Sequence, residues 1–198
     1  MPTSYQIEQK LGFKDGDVLG FSGKGWVSGV INLGTYALPR VGLSHIGIVS
    51  TYRGRQYIFE STTLNGGKSC AILGKPIGGV QAHLIEDVLA RPGKVWVYRL
   101  KSPLYKPEKS RLGLCLLGML GVEYDYRGAA QSGGFLLRLI EKLVRNEDVS
   151  KLFCSELVAF ALTRIGRGRI ISSSGQNPNS LARYLYRDGI VTKRERVK

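Results

Sequence analysis

The sequence predicts a single α+β domain, on three observations. Strand-like apolar runs occur at residues 43–51, 56–62 and 95–100. Helical apolar patterns occur at 108–120, 135–145 and 151–165. No internal repeat and no linker divides them, so both kinds of element belong to one core. A chain of 198 residues buries a sizeable core on its own, and the domain is expected to span 1–198 with a short basic tail at 193–198.

The elements follow in order. Asp15-Gly16-Asp17 is a turn signal feeding a strand whose apolar members are Val18, Leu19 and Phe21. Segment 26–38 mixes apolar and small residues and reads as a short helix that Pro39 closes. The runs on either side of Tyr52-Arg53-Gly54-Arg55 form a hairpin pattern. Val95-Trp96-Val97-Tyr98-Arg99-Leu100 is another strand. A proline-bearing connector at 102–107 leads to the helix at 108–120, which Gly121 ends. Segment 135–145 is amphipathic at helical spacing, and the pattern at 151–165 stops at Gly166. Residues 172–179 read as a loop and 180–186 as a terminal helix.

Composition excludes several classes. Hydrophobic content of 43% and charged content of 22% are those of a globular protein, neither disordered nor fibrous. The formal net charge of +14, from 29 Lys and Arg against 15 acidic residues, favours anionic surroundings. The charge is spread along the chain, with no helix-turn-helix, zinc-ligand spacing or aromatic RNA-binding signature, so no specific nucleic-acid partner is expected. Three cysteines at irregular spacing make no disulfide framework and suit a reducing compartment. The first residues lack the apolar core of a signal peptide, and no apolar run reaches the ~18 residues of a membrane span. A cytoplasmic protein is expected, and a phage- or mobile-element-encoded product would look the same.

The candidate chemistry lies in three residues. Only two histidines occur, and His45 stands in the strand Ser44-His45-Ile46-Gly47. Glu60 follows in Phe59-Glu60-Ser61, and Cys154 begins the helix pattern in Phe153-Cys154-Ser155-Glu156-Leu157-Val158. Thiol, imidazole and carboxylate are the parts of a nucleophilic hydrolase or acyltransferase. A thiol in the first turn of a helix feels the positive end of the macrodipole and has unpaired amides nearby for an oxyanion. Taken alone, Cys154 would read equally well as a buried structural thiol.

Hairpin arithmetic adds support. With Arg53-Gly54 as a two-residue connection, Tyr52 faces Arg55, Gly47 faces Glu60 and His45 faces Thr62. His45 and Glu60 then share one face as diagonal neighbours, about 7–8 Å apart at the backbone. Ile46, Ile48, Tyr57 and Phe59 fill the other face. An odd-length loop would move Glu60 to the wrong side. The even register gives a base with its orienting carboxylate. The plain alternatives are a half-buried strand histidine, and a Glu60 paired with Arg53 or Arg55.

Together these residues resemble the permuted papain-like hydrolases of the YiiX/YebB type, within the NlpC-type superfamily. The likeness runs over roughly residues 11–185. It comprises the strand opener Phe13-Lys14-Asp15-Gly16-Asp17-Val18, the histidine strand 44–49, Tyr57-Ile58-Phe59-Glu60-Ser61, Gly121-Val122-Glu123-Tyr124-Asp125-Tyr126, the cysteine motif 153–158, and Asn177-Pro178-Asn179-Ser180-Leu181. Phe153 departs from the family's tyrosine, and 127–150 does not align. The resemblance implies a small antiparallel sheet packed against the cysteine helix, with the histidine strand preceding that helix, as permutation requires. It implies Cys154 as nucleophile, His45 as base then acid, and Glu60 as orienting residue. The Cys154 amide would serve the oxyanion, with Tyr124, Tyr126 and Ser44 as further lining candidates.

The expected activity is hydrolysis of an amide, thioester or ester through a thioester intermediate, cell-wall-type peptides being one substrate class. No cofactor and no metal is called for. Two alternatives stand beside it. A lipid acyltransferase or lipase resembling lecithin–retinol acyltransferase would use segment 135–145 at an anionic membrane surface, although such a helix more simply covers the core. A non-catalytic basic structural or virion protein would keep only the scaffold. His83 reads as an exposed or satisfied histidine, Cys115 as core and Cys70 as a loop thiol.

Overall fold

The computed structural model describes residues 12–22, 42–62, 69–122, 149–168 and 177–198. In chain order the elements are β1 (Val18–Ser22), β2 (His45–Tyr52), β3 (Arg55–Thr62), β4 (Gly79–Leu84), α1 (Ile85–Ala90), β5 (Lys94–Tyr98), α2 (Lys106–Gly118), α3 (Val149–Arg164), α4 (Pro178–Arg187) and β6 (Glu195–Arg196). The six strands form one antiparallel sheet in the order β4-β3-β2-β1-β5-β6. The chain is therefore α+β, as its sequence predicts.

The hairpin takes the even register. Tyr52 pairs with Arg55 and Ile48 with Phe59, so the ladder continued one step sets Gly47 opposite Glu60. Arg53 and Gly54 both have positive φ, 49° and 76°, as a two-residue type I′ turn demands, and that turn matches the twist of the strands it joins.

Period-2 alternation sorts the sheet into two apolar faces. Val18, Ile46, Ile48, Tyr57, Phe59 and Ala82 lie on one face, packed against α2, α3 and α4 through Leu112, Leu116, Leu157, Val158, Leu162, Leu181 and Leu185. Leu19, Phe21, Val49, Ile58, Val95 and Val97 lie on the other, covered by Ile85, Val88 and Leu89 of the short helix α1. Both faces carry buried apolar side chains, so apolar residues recur on either side of the central strands.

Local signals explain the helix ends. The Tyr105 amide donates to Glu108 Oε2 at 2.8 Å, closing the first turn of α2. Arg167, just beyond α3, grips the same carboxylate with two bonds of 2.8 Å and ties the end of α3 to the start of α2. Asn177 caps α4 by accepting from the Ser180 amide at 2.9 Å, with Pro178 at the first helical position.

Several elements differ from expectation. β4 and α1 occupy a stretch to which the sequence pattern assigns no element, and β6 lies inside the basic tail at 193–198. Cys70 lies in the connection between β3 and β4, as expected of a loop thiol, but is fully buried there, its sulfur accepting from the Ala82 amide at 3.5 Å. Cys115 is half-buried on α2 rather than core, and its partial burial still pushes the thiol pKa up. The helices expected at 26–38 and 135–145 lie outside the described residues. Among the described residues no helix is long and apolar enough to cross a membrane.

Candidate active site

β2, β3 and α3 bring the three sequence-predicted residues together. His45 is the first residue of β2, opposite Phe21 of β1, and the two rings stack at 5.8 Å between centroids. Glu60 projects from β3 on the same face as Ile58. His45 Nε2 and Glu60 Oε2 are 2.8 Å apart, with both side chains largely withdrawn from solvent. Cys154 belongs to the opposite cluster, among Ile46, Ile48 and Phe59. His45 stands at the end of its strand, where a group from the helix layer can meet it, and the Cys154 thiol hydrogen-bonds its imidazole. With Nε2 engaged by Glu60, Nδ1 is the ring nitrogen left for the sulfur.

The electrostatics favour a charged imidazole. Burial opposes protonation of His45, but the charge and hydrogen bond of Cys154, joined by those of Glu60, outweigh it and push the pKa up to about 10. Burial likewise opposes a charged Glu60. The hydrogen bond from His45 and the close approach of His83, with the charges of His45 and Arg91, overcome that cost and hold the carboxyl well below the usual carboxylate range.

His83 and Arg91 are the residues that sequence reasoning missed. Gln81 of β4 pairs with Glu60, so His83, two residues on, sits diagonally across the same face. Its Nδ1 lies 2.8 Å from Glu60 Oε1. α1 follows β4 at once, and the residue capping its end, Arg91, returns its Nη1 to the same oxygen at 3.1 Å. One carboxylate oxygen thus faces His45 and the other faces two further nitrogen groups. Of the two readings its sequence allowed, exposed or satisfied, His83 is the satisfied one, buried beside Glu60. The alternation Val80, Ala82, Leu84 against Gln81, His83 was the available signal.

Two expectations change. α3 begins at Val149, not near Lys151, because nothing in Val149-Ser150 breaks a helix. Cys154 is therefore its sixth residue, beyond the first turn where the macrodipole acts and amides stand unpaired. Its own amide is in helical sequence with residue 150, so the positive charge beside the sulfur comes from His45 and not from the helix end. Ser44 is not an oxyanion donor either, since its amide and its hydroxyl both donate to the Phe21 carbonyl, at 2.7 and 3.2 Å. Tyr124 and Tyr126 lie outside the described residues.

Behind the site, Asn179 of α4 clasps the Leu43 backbone in both directions. Its Oδ1 accepts from the Leu43 amide at 2.8 Å, and its Nδ2 donates to the Leu43 carbonyl at 3.1 Å. This fixes the approach to β2 two residues before His45. No family model and no curated protein matches the chain.

Proposed function

We propose that this chain is a cysteine hydrolase of the permuted papain-like kind, cleaving an amide bond through a covalent thioester, with cell-wall-type peptides as its substrate class. The observation that carries the reading is the buried contact line from Cys154 through His45 to Glu60. The order of its parts also supports it: a histidine strand, a carboxylate strand beside it, then a cysteine helix lying over both.

In this reaction a protonated His45 holds the sulfur as thiolate. The thiolate attacks the amide carbon, forming a carbon–sulfur bond and a tetrahedral oxyanion. The intermediate collapses with cleavage of the carbon–nitrogen bond, and His45 gives its proton to the departing amine. The neutral imidazole then takes a proton from water, whose hydroxide attacks the thioester carbon. Collapse expels the thiolate and releases the carboxylic acid, with His45 again protonated. Glu60 keeps the imidazole in one orientation and stabilises its charge through both steps.

Labelling with an electrophilic thiol probe at neutral pH, followed by peptide mapping, tests this. Cys154 is expected to be captured in preference to Cys70, and His45→Ala is expected to abolish the preference with folding retained. Equal capture of Cys70, or capture indifferent to His45→Ala, overturns the proposal.

A further inference from the structure

We propose that the cavity between β5, α4 and the C-terminal segment is a binding site for a phosphate-bearing ligand. It is an open concavity of about 320 Å³, and most of the side chains around it are exposed. Arg183, Lys193 and Arg194 line it, together with Tyr98, Tyr186 and Ala182. Asn179 completes the lining, but its amide is spent on Leu43.

No carboxylate lines the cavity. The three cations make no ion pair among the described residues, whereas other arginines do. Arg55 pairs with Glu86, Arg99 with Asp17 and Arg167 with Glu108. Even Glu195, next in sequence to Arg194, turns to Arg99 at 3.5 Å. Three like charges around one concavity repel one another, and a bound anion relieves that repulsion.

The polar groups are preset for an oxyanion. Arg194 lies over the Trp96 ring, 5.2 Å from its centroid, which limits where the guanidinium can go. It also hydrogen-bonds the buried Tyr98 phenol. A guanidinium only donates, so the phenol oxygen accepts and its own O–H remains to be given to a ligand. Two guanidinium groups, an ammonium and a phenol suit the several oxygens and near-double charge of a terminal phosphate better than a single carboxylate. Tyr186 and Ala182 supply an apolar wall for the carbon part of the ligand.

Isothermal titration calorimetry with inorganic phosphate and with glycerol 3-phosphate tests the site. Co-sedimentation with phosphatidylglycerol-containing vesicles tests the lipid-borne form of the same group. Arg183→Glu and Lys75→Glu change net charge equally, but only Arg183 lines the cavity. Arg183→Glu is expected to weaken binding roughly tenfold or more, the loss of a charge-assisted contact plus a new repulsion, and Lys75→Glu to leave it within about twofold. Lys193→Glu repeats the comparison should Arg183→Glu not fold. Site-dependent binding of the soluble phosphates supports a free phosphorylated ligand. Site-dependent binding of vesicles alone supports a lipid headgroup. No binding of any probe, or equal weakening by Arg183→Glu and Lys75→Glu, overturns the proposal. None of these readouts depends on hydrolysis, so the site stands or falls apart from the catalytic reading.

Discussion

His83 Nδ1 lies 2.8 Å from Glu60 Oε1, on the carboxylate oxygen opposite the one that meets His45. Arg91 Nη1 shares Oε1 at 3.1 Å. Two groups thus keep Glu60 ionised and turned toward His45, and either one alone keeps part of that hold. His83→Ala and Arg91→Ala are each expected to slow Cys154 labelling modestly. The double variant is expected to lose more than the sum, with a coupling of about 0.5–3 kcal/mol. NMR titration of the His45 ring separates this from mere destabilisation, because a loosened Glu60 moves the imidazole titration to lower pH. Strict additivity with an unmoved His45 would remove His83 and Arg91 from the catalytic apparatus.

The charge on His45 depends on its neighbours more than on its own burial. Its pKa is raised to about 10, with the sulfur of Cys154 as the foremost raising cause and Glu60 next. A raised folded-state pKa contributes stability that is fully present below the ordinary histidine value and lost as pH rises through about 10. Cys154→Ala removes the foremost raising contribution, so the His45 ring should titrate at lower pH and the alkaline loss of stability should begin earlier. Imidazole NMR shifts and urea melts between neutral pH and pH 10 check both.

Gly47 faces Glu60 because the space there belongs to other atoms. A Cβ at this position would stand 2.8 Å from Ile58 Cγ1 and 2.9 Å from the Phe59 carbonyl oxygen. The Ile58 side chain can move, but the backbone carbonyl moves only with β3. Gly47→Ala is therefore expected to destabilise the protein by about 1–3 kcal/mol, the usual cost of overpacking. It should also slow Cys154 labelling by pushing Glu60 away from His45. Chemical denaturation beside a labelling time course measures the two effects, and unchanged labelling would show that the hairpin absorbs the extra methyl.

Much of the site was legible because its logic is local. The two-residue turn at Arg53-Gly54 sets the register, and the register alone puts His45 and Glu60 on one face. Cys154 was legible from its motif, though its place in α3 was not, since a helix start is decided by a few residues with no strong breaker among them. His83 and Arg91 were hidden for a different reason. Their approach to Glu60 depends on β4 joining the edge of the sheet and on α1 turning straight back across it. Six-residue elements carry too little pattern to announce such a pairing. The cationic cavity combines Tyr98, Arg183 and Arg194, residues from three separate segments, which no spacing in the sequence connects.

Glu156, two residues past Cys154, is a buried carboxyl that no cation among the described residues offsets. Burial pushes its pKa up to about 8, and its Oε1 has no hydrogen-bond partner among the described residues. Between its ordinary carboxyl value and about 8 the folded protein binds a proton that the unfolded chain does not. Stability from this group is thus fully present in acid and is lost as pH rises toward 8. Glu156→Gln is permanently neutral and escapes that loss. The variant should match the parent near pH 5 and exceed it in melting temperature at pH 8–9. Thermal melts of both proteins across this range check the prediction, and a constant difference at every pH would mean that Glu156 is paired after all. Should Cys154 labelling in Glu156→Gln keep the parent's pH profile, the carboxyl bears on the fold alone and the chemistry rests with His45 and Glu60.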